Sequence, residues 1–306
     1  MRWFVILLLL AVALGQPARC AGSEHAKLAV VFPSQANAYQ EAWSGFQSVV
    51  GQAAVSLEVM RFNLKEEPSG QILGSIRRER PDLVLTLGTK PAKLARDSLG
   101  DVAVIFCMAF RANELAGPLM TGVSMEISPA AKLSTLKRLV PEARKVGVIY
   151  SPALTNQMED ISRYCGELGL ELVAVPIESE SELPSALRSI VGRIDSYLIL
   201  PDADIYSPKS VEHLLLQSLR YKFPVIGLSA HYTKAGALFS LDCDYRDLGR
   251  QAAEIALRVL RGENPGDLAP EEPRITELSF NVVAAERFGI RNQRQIEDEA
   301  RVVFGR

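Results

Sequence analysis

The sequence predicts an α/β protein built as two doubly wound, parallel-sheet lobes. Short apolar runs alternate with amphipathic helical stretches along nearly the whole chain, the pattern of sheets wound by right-handed crossovers. The alternation starts afresh near residue 145. Several strand-like runs, such as 82–88 and 102–107, are apolar almost throughout, which suits strands covered on both faces. The length of 306 residues is enough for two domains of ordinary size.

Each element has its own signal. Residues 27–33 are an apolar run closed by Pro33, and 55–62 alternate with period two. The runs 82–88 and 102–107 follow, with helical stretches at 39–51, 69–80 and 91–99 between the strands. The second set reads as strands at 145–150, 171–175, 196–200, 224–227 and 237–241. Its helices fall at 157–168, 183–192 and 211–221. The most regular helix spans 246–261, with Leu248, Ala252, Ile255, Ala256, Val259 and Leu260 on one face and Gly262 closing it. A late strand at 276–280 and a short helix ending near Gly289 have no third domain to join, so they return to the sheets already made.

Residues 1–22 read as a secretory signal peptide: Arg2, an apolar core at 4–14, then small and polar residues. The core is far shorter than the roughly twenty residues needed to span a bilayer. The mature chain is therefore expected to be exported, soluble and periplasmic or otherwise extracytoplasmic. Cys20 fits simple cleavage better than lipidation, because the charged Arg19 precedes it. The net charge of −2 offers no basic surface for nucleic acid. Cys107, Cys165 and Cys243 form no CxxC pair, so small buried thiols are expected and no metal cluster.

Certain stretches stand in a telling order. Thr121-Gly122-Val123-Ser124 is followed by Leu-Ser-Thr-Leu-Lys-Arg-Leu-Val-Pro-Glu-Ala at 133–143 and Lys-Val-Gly-Val-Ile-Tyr-Ser-Pro at 145–152. Then come Ala235-Gly236-Ala237-Leu238 and the stretches 244–253, 259–265 and 280–290. In order and spacing the chain resembles the ABC-transporter substrate-binding family that includes tryptophan-binding lipoproteins. The likeness covers most of the mature chain, the N-terminal third by pattern more than by residue.

The resemblance implies a type I periplasmic-binding fold with a ligand cleft between the lobes. Lobe 1 would take 24–124 plus 244–270, lobe 2 would take 125–243 plus 271–291, and 292–306 would be a C-terminal tail. The first crossing would come near Ser124, with the helix from Arg246 on lobe 1 and the strand at Thr276 on lobe 2. It also implies a monomeric solute-binding component whose partners are a small-molecule ligand, an ABC permease in the membrane and its ATPase. No cofactor is implied.

Ligands of open parallel sheets sit beyond the carboxyl ends of the strands. That rule selects Ser34, Gln35, Asn37 and Tyr39 after the first strand, Thr89 after the third, and Met108, Phe110 and Arg111 after the fourth. In the second set it selects Ser151, Thr155, Asn156, Asp202, Asp204, Tyr206, Ser229, Tyr232 and Asp242. Asp202, Asp204 and Asp242 suit an ammonium, Thr89 or Arg111 a carboxylate, and Tyr39, Phe110 and Tyr206 an apolar or aromatic group. An amino acid or similar zwitterion fits this inventory. Thr89, Asp202 and Asp204 equally suit helix capping, and Trp43 suits the core. Lys90, inserted between Thr89 and Pro91, and Asp202-Ala203-Asp204, in place of Thr-Asp-Asn, depart from the family pattern and bear on specificity.

Catalytic constellations are few. His25, His213 and His231 fit no metal spacing, and neither a P-loop nor GxGxxG occurs. Gly227-Leu228-Ser229-Ala230-His231 approaches a hydrolase nucleophile elbow but ends in His where Gly is required. The readings left open beside transport are an extracytoplasmic ligand sensor for a signalling partner and, less favoured, a hydrolase.

Overall fold

Strands that are apolar almost throughout bury both faces only when helices cover both, and that condition organises this chain. The computed structural model describes residues 24–53, 55–202, 204–291 and 293–306. The signal peptide read at 1–22, with Cys20 in it, lies outside the described residues.

The first half runs β1 (Glu24–Phe32), α1 (Asn37–Val50), β2 (Val55–Asn63), α2 (Ser69–Glu79), β3 (Leu83–Leu87), α3 (Thr89–Ser98), β4 (Ala103–Ala109), α4 (Ala112–Leu115) and β5 (Met120–Ser124). Its five strands are parallel in the order β2-β1-β3-β4-β5. Leu83, Leu85, Leu87, Ile105 and Cys107 face one apolar cluster, whereas Val84, Val104 and Phe106 face another.

The second half runs α5 (Pro129–Leu139), β6 (Lys145–Tyr150), α6 (Met158–Glu167), β7 (Glu171–Pro176), α7 (Leu183–Ile190), β8 (Ser196–Leu198), α8 (Pro208–Tyr221), β9 (Val225–Gly227), α9 (Ala230–Ala235) and β10 (Phe239–Cys243). Then α10 (Tyr245–Leu260) returns to the first sheet, and β11 (Thr276–Asn281), α11 (Val282–Phe288), α12 (Gln293–Glu299) and β12 (Val302–Phe304) finish the second. Strand order is β12-β11-β10-β9-β8-β6-β7. The stretch β7-β6-β8-β9-β10 repeats the order of the first sheet, so the two-lobed, doubly wound class expected from the sequence is the one observed. The pair β10–β11 is antiparallel.

Residues 293–304, read from the sequence as a tail, form a helix and an edge strand parallel to β11. Val302–Phe304 is too short to announce itself by periodicity.

Helix α10 lies along α1. A Cβ on Gly45 would stand 1.8 Å from the Arg246 carbonyl oxygen, and one on Gly249 would stand 1.8 Å from that of Ala42. The two backbones therefore touch through reciprocal glycines. Trp43 is buried here as expected, stacked on Phe46 at 5.5 Å.

Three segments cross between the lobes: β5 to α5, β10 to α10, and α10 to β11. They are bonded to one another: Ser124 N–H donates to the Glu271 carbonyl at 2.8 Å, and the Cys243 thiol donates to the Met125 carbonyl at 3.2 Å. The third crossing is pinned where Arg274 meets buried Asp247 at 2.9 Å and Glu254 at 2.8 Å.

Candidate functional site

The loop after β4 carries two residues in the left-handed region, Met108 (φ 62°) and Arg111 (φ 56°). A register shift between Cys107 and Ala109 accompanies them. Two bonds hold the loop: Phe110 N–H donates to the Thr89 hydroxyl at 2.9 Å and Arg111 N–H to the Glu126 carboxylate at 3.0 Å. The result turns the Phe110 ring out of the lobe, 43 % exposed.

Across the cleft, Asp242 is the penultimate residue of β10. Its carboxylate accepts from Ala230 N–H at 2.9 Å and the Ser279 hydroxyl at 3.1 Å. Burial raises its pKa, and those bonds together with the Lys132 charge oppose the rise.

Between these residues lies a hollow of about 220 Å³. Phe110 and Tyr245 wall it from the first lobe, Leu228, Ser229 and Asp242 from the second, and Met125, Glu126, Ile127 and Lys132 from the crossing region. A neighbouring hollow of about 410 Å³ shares Glu126, Ile127, Lys132 and Pro201 and extends to Arg111, Gln157 and Tyr164. The shared wall makes them two compartments of one interlobe space.

Lys132 is 5 % exposed and makes no side-chain hydrogen bond or ion pair among the described residues. Burial lowers its pKa to about 8, against the pull of Cys243, Asp242 and Glu126. Sequence reasoning missed it. A signal was present: Lys132 shares the buried face of α5 with Leu133, Leu136 and Leu139, a charge on an otherwise apolar stripe.

The residues expected from the sequence disperse. Phe110 and Asp242 line the smaller hollow with Ser229, and Arg111 lines the larger one. Gln35 is exposed on the first lobe, where it bonds Glu66 and Gln40. Tyr39 packs its ring edge over Gly88. Thr89 is not the N-cap of α3; Gly88 is, with φ 92°, and the Thr89 hydroxyl serves Phe110 instead. Asn156 is exposed in a 3-10 turn after β6.

Asp202 and Tyr206 are corrected by the structure. Buried Asp202 accepts from Ser151 N–H at 2.8 Å and from Asp204 N–H at 3.2 Å, so it braces two loops. Ser151 itself is buried, and its hydroxyl has no partner among the described residues. Neither Asp202 nor exposed Asp204 caps α8, which Ser207 caps through a box with Ser210. Tyr206 turns into the core, its hydroxyl bonded to the Tyr197 hydroxyl at 2.7 Å and the Ile149 carbonyl at 2.8 Å. This aromatic beyond a strand end turns inward, where the Tyr197 hydroxyl and the Ile149 carbonyl satisfy its own hydroxyl.

Ser229 stands at the N-cap position of α9 with an extended φ of −159° and no side-chain capping bond, not in the strained turn of a nucleophile elbow, and His231 is exposed. Among the described residues no cluster of His, Cys, Asp or Glu suits a metal ion, and no helix is long and apolar enough to cross a membrane. Cys107, Cys165 and Cys243 are all buried and unpaired with one another, their thiol pKa values raised by burial.

Comparison with known proteins agrees with this architecture. The chain is 28 % identical over 214 residues to a tyrosine-binding protein of Clostridioides difficile; the match covers 66 % of this chain and spans 61 % of that relative's length. It is 22 % identical over 260 residues to an uncharacterized protein of Rickettsia prowazekii, covering 84 % of this chain and 83 % of the relative. Among solved structures, the ligand-free, open form of a substrate binding protein with adhesive properties from Clostridium difficile superposes with a TM-score of 0.71. Identity there is 19 %, with coverage of 87 % of this chain and 96 % of that one. An ABC domain from Streptococcus pneumoniae in complex with L-Trp gives 0.60 at 20 % identity, covering 92 % and 100 %. With its two parallel-dominated lobes the fold is of type I periplasmic-binding form. The profile of ABC transporter substrate binding proteins matches residues 27–304, and the chain belongs to that family.

Proposed function

We propose that this protein is the exported solute-binding component of an ABC-type importer, capturing an amino acid or similar zwitterion between its lobes. The observation that carries the reading is the hollow of about 220 Å³ walled by both lobes, where two aromatic rings stand beside charges of both signs. The Phe110 and Tyr245 rings offer an apolar wall, Asp242 and Glu126 an acceptor for an ammonium, and Lys132 a cation. A solute touching both lobes is bound better when they close, and that differential affinity drives a hinge motion about the three crossings. Closure would carry the rims bearing Thr89, Asn156 and Asp204 toward the solute. The closed form would then dock the permease, with its ATPase beyond.

Family membership supports this reading, as do a relative named for tyrosine and a fold neighbour holding L-Trp. A thermal-shift screen of amino acids and other small metabolites tests it. A specific solute in hundredfold excess over Kd should stabilise the fold by about 2.7 kcal/mol. No shift with any member of the screen would sink the capture reading.

A further inference from the structure

Lys132 breaks three local rules at once. It is buried, it lacks a side-chain partner among the described residues, and it sits in the first turn of α5, where the helix dipole favours an anion. No acidic residue occupies that turn to compensate. Asp242 and Glu126 are near enough to act on its charge, yet neither forms an ion pair with it. Both compartments of the interlobe space are lined by its side chain. Such violations concentrate where function needs them.

We propose that Lys132 receives the carboxylate of the captured solute, so that the cleft selects solutes carrying one. The α5 N-terminus adds its dipole to the ammonium, and Asp242 and Glu126 remain for the solute's own ammonium. The proposal rests on the capture reading above. It departs from the assignment of carboxylate recognition to Thr89 or Arg111. Thr89 lines neither compartment, its hydroxyl accepting from Phe110 N–H, and the Arg111 guanidinium stands 3.7 Å from Glu114.

The test pairs the residue with the group it is held to recognise. Wild type and Lys132→Met are titrated calorimetrically with the proteinogenic amino acids and their carboxamides, and both proteins are melted without ligand. Wild type should bind at least one free acid, with its amide about tenfold or more weaker, since a hydrogen bond to a charged group is worth about 1.5–3 kcal/mol. Lys132→Met should lose a similar factor for the acid and little for the amide. Without ligand it should melt at or above the wild-type temperature, because an uncompensated buried charge has been removed. A structural lysine would give the opposite: a lower melting temperature with the acid-to-amide ratio intact, and that result overturns the assignment. Equal wild-type affinity for acid and amide overturns it too, leaving capture standing. If wild type binds no free acid at all, the carboxylate assignment and the amino-acid reading fall together.

Discussion

At the scale of single residues, the cleft is defined by side chains whose environment contradicts their chemistry. Lys132 is the clearest case. Its ammonium is held down to about 8 from 10.5 by burial, a shift worth about 3 kcal/mol. The folded-state value lies below the unfolded one, so the penalty is complete below about 8 and relieved as pH rises toward 10.5. Ligand-free wild type should therefore gain stability relative to Lys132→Met between pH 8 and about 10. Denaturant melts of both proteins across that window check this, and a constant difference would refute it. Nothing about Lys132 was legible without its helix register, since a lysine between Ala131 and Leu133 reads as solvated. Phe110 was legible from position, directly after β4, and Asp242 from its place just beyond the strand read at 237–241, although β10 runs on through it to Cys243. Tyr206 looked equivalent and was not, because its hydroxyl found partners inside the second lobe.

At the scale of elements, periodicity located most helices and strands, while contacts between distant elements decided how they pack. The α1–α10 contact joins residues two hundred positions apart in sequence, and the backbones meet at Gly45 and Gly249. Gly249→Ala places a methyl where the Ala42 carbonyl already stands, so the helices must separate. The expected loss is about 1–3 kcal/mol, as for overpacked cores. Urea unfolding measures it, and an unchanged midpoint would show that the helices part without cost. As a control, Gly74→Ala, on a helix with open space around it, should be neutral or slightly stabilising. The short elements α4, α9, α12 and β12 escaped sequence reading because fewer than two turns of helix, or three residues of strand, carry too little pattern; strand β5 and the longer helix α5 were not read either.

Across the whole molecule, the fold divides the chain into two lobes joined by three bonded crossings, and the space between them holds a charged hollow that both lobes wall. The crossings are tied to each other and, through Arg274, to α10, so bending must be shared among them. Saturation with a solute found by thermal shift should reduce the radius of gyration in small-angle scattering. An identical radius with and without bound solute would remove hinge closure from the proposed mechanism.

The α/β class, the restart that makes two lobes, the strand ends where a ligand is expected and the family resemblance were all readable along the chain. These follow from periods of 2 and 3.6 residues and from local motifs, which need no knowledge of distant neighbours. Which strand-end residues face the cleft became visible with the packed fold. Whether Tyr206 points inward, Asp202 braces a loop or Lys132 reaches the interlobe space depends on partners supplied by other elements, and hydrogen-bond satisfaction in a buried setting is settled between them, not along the chain.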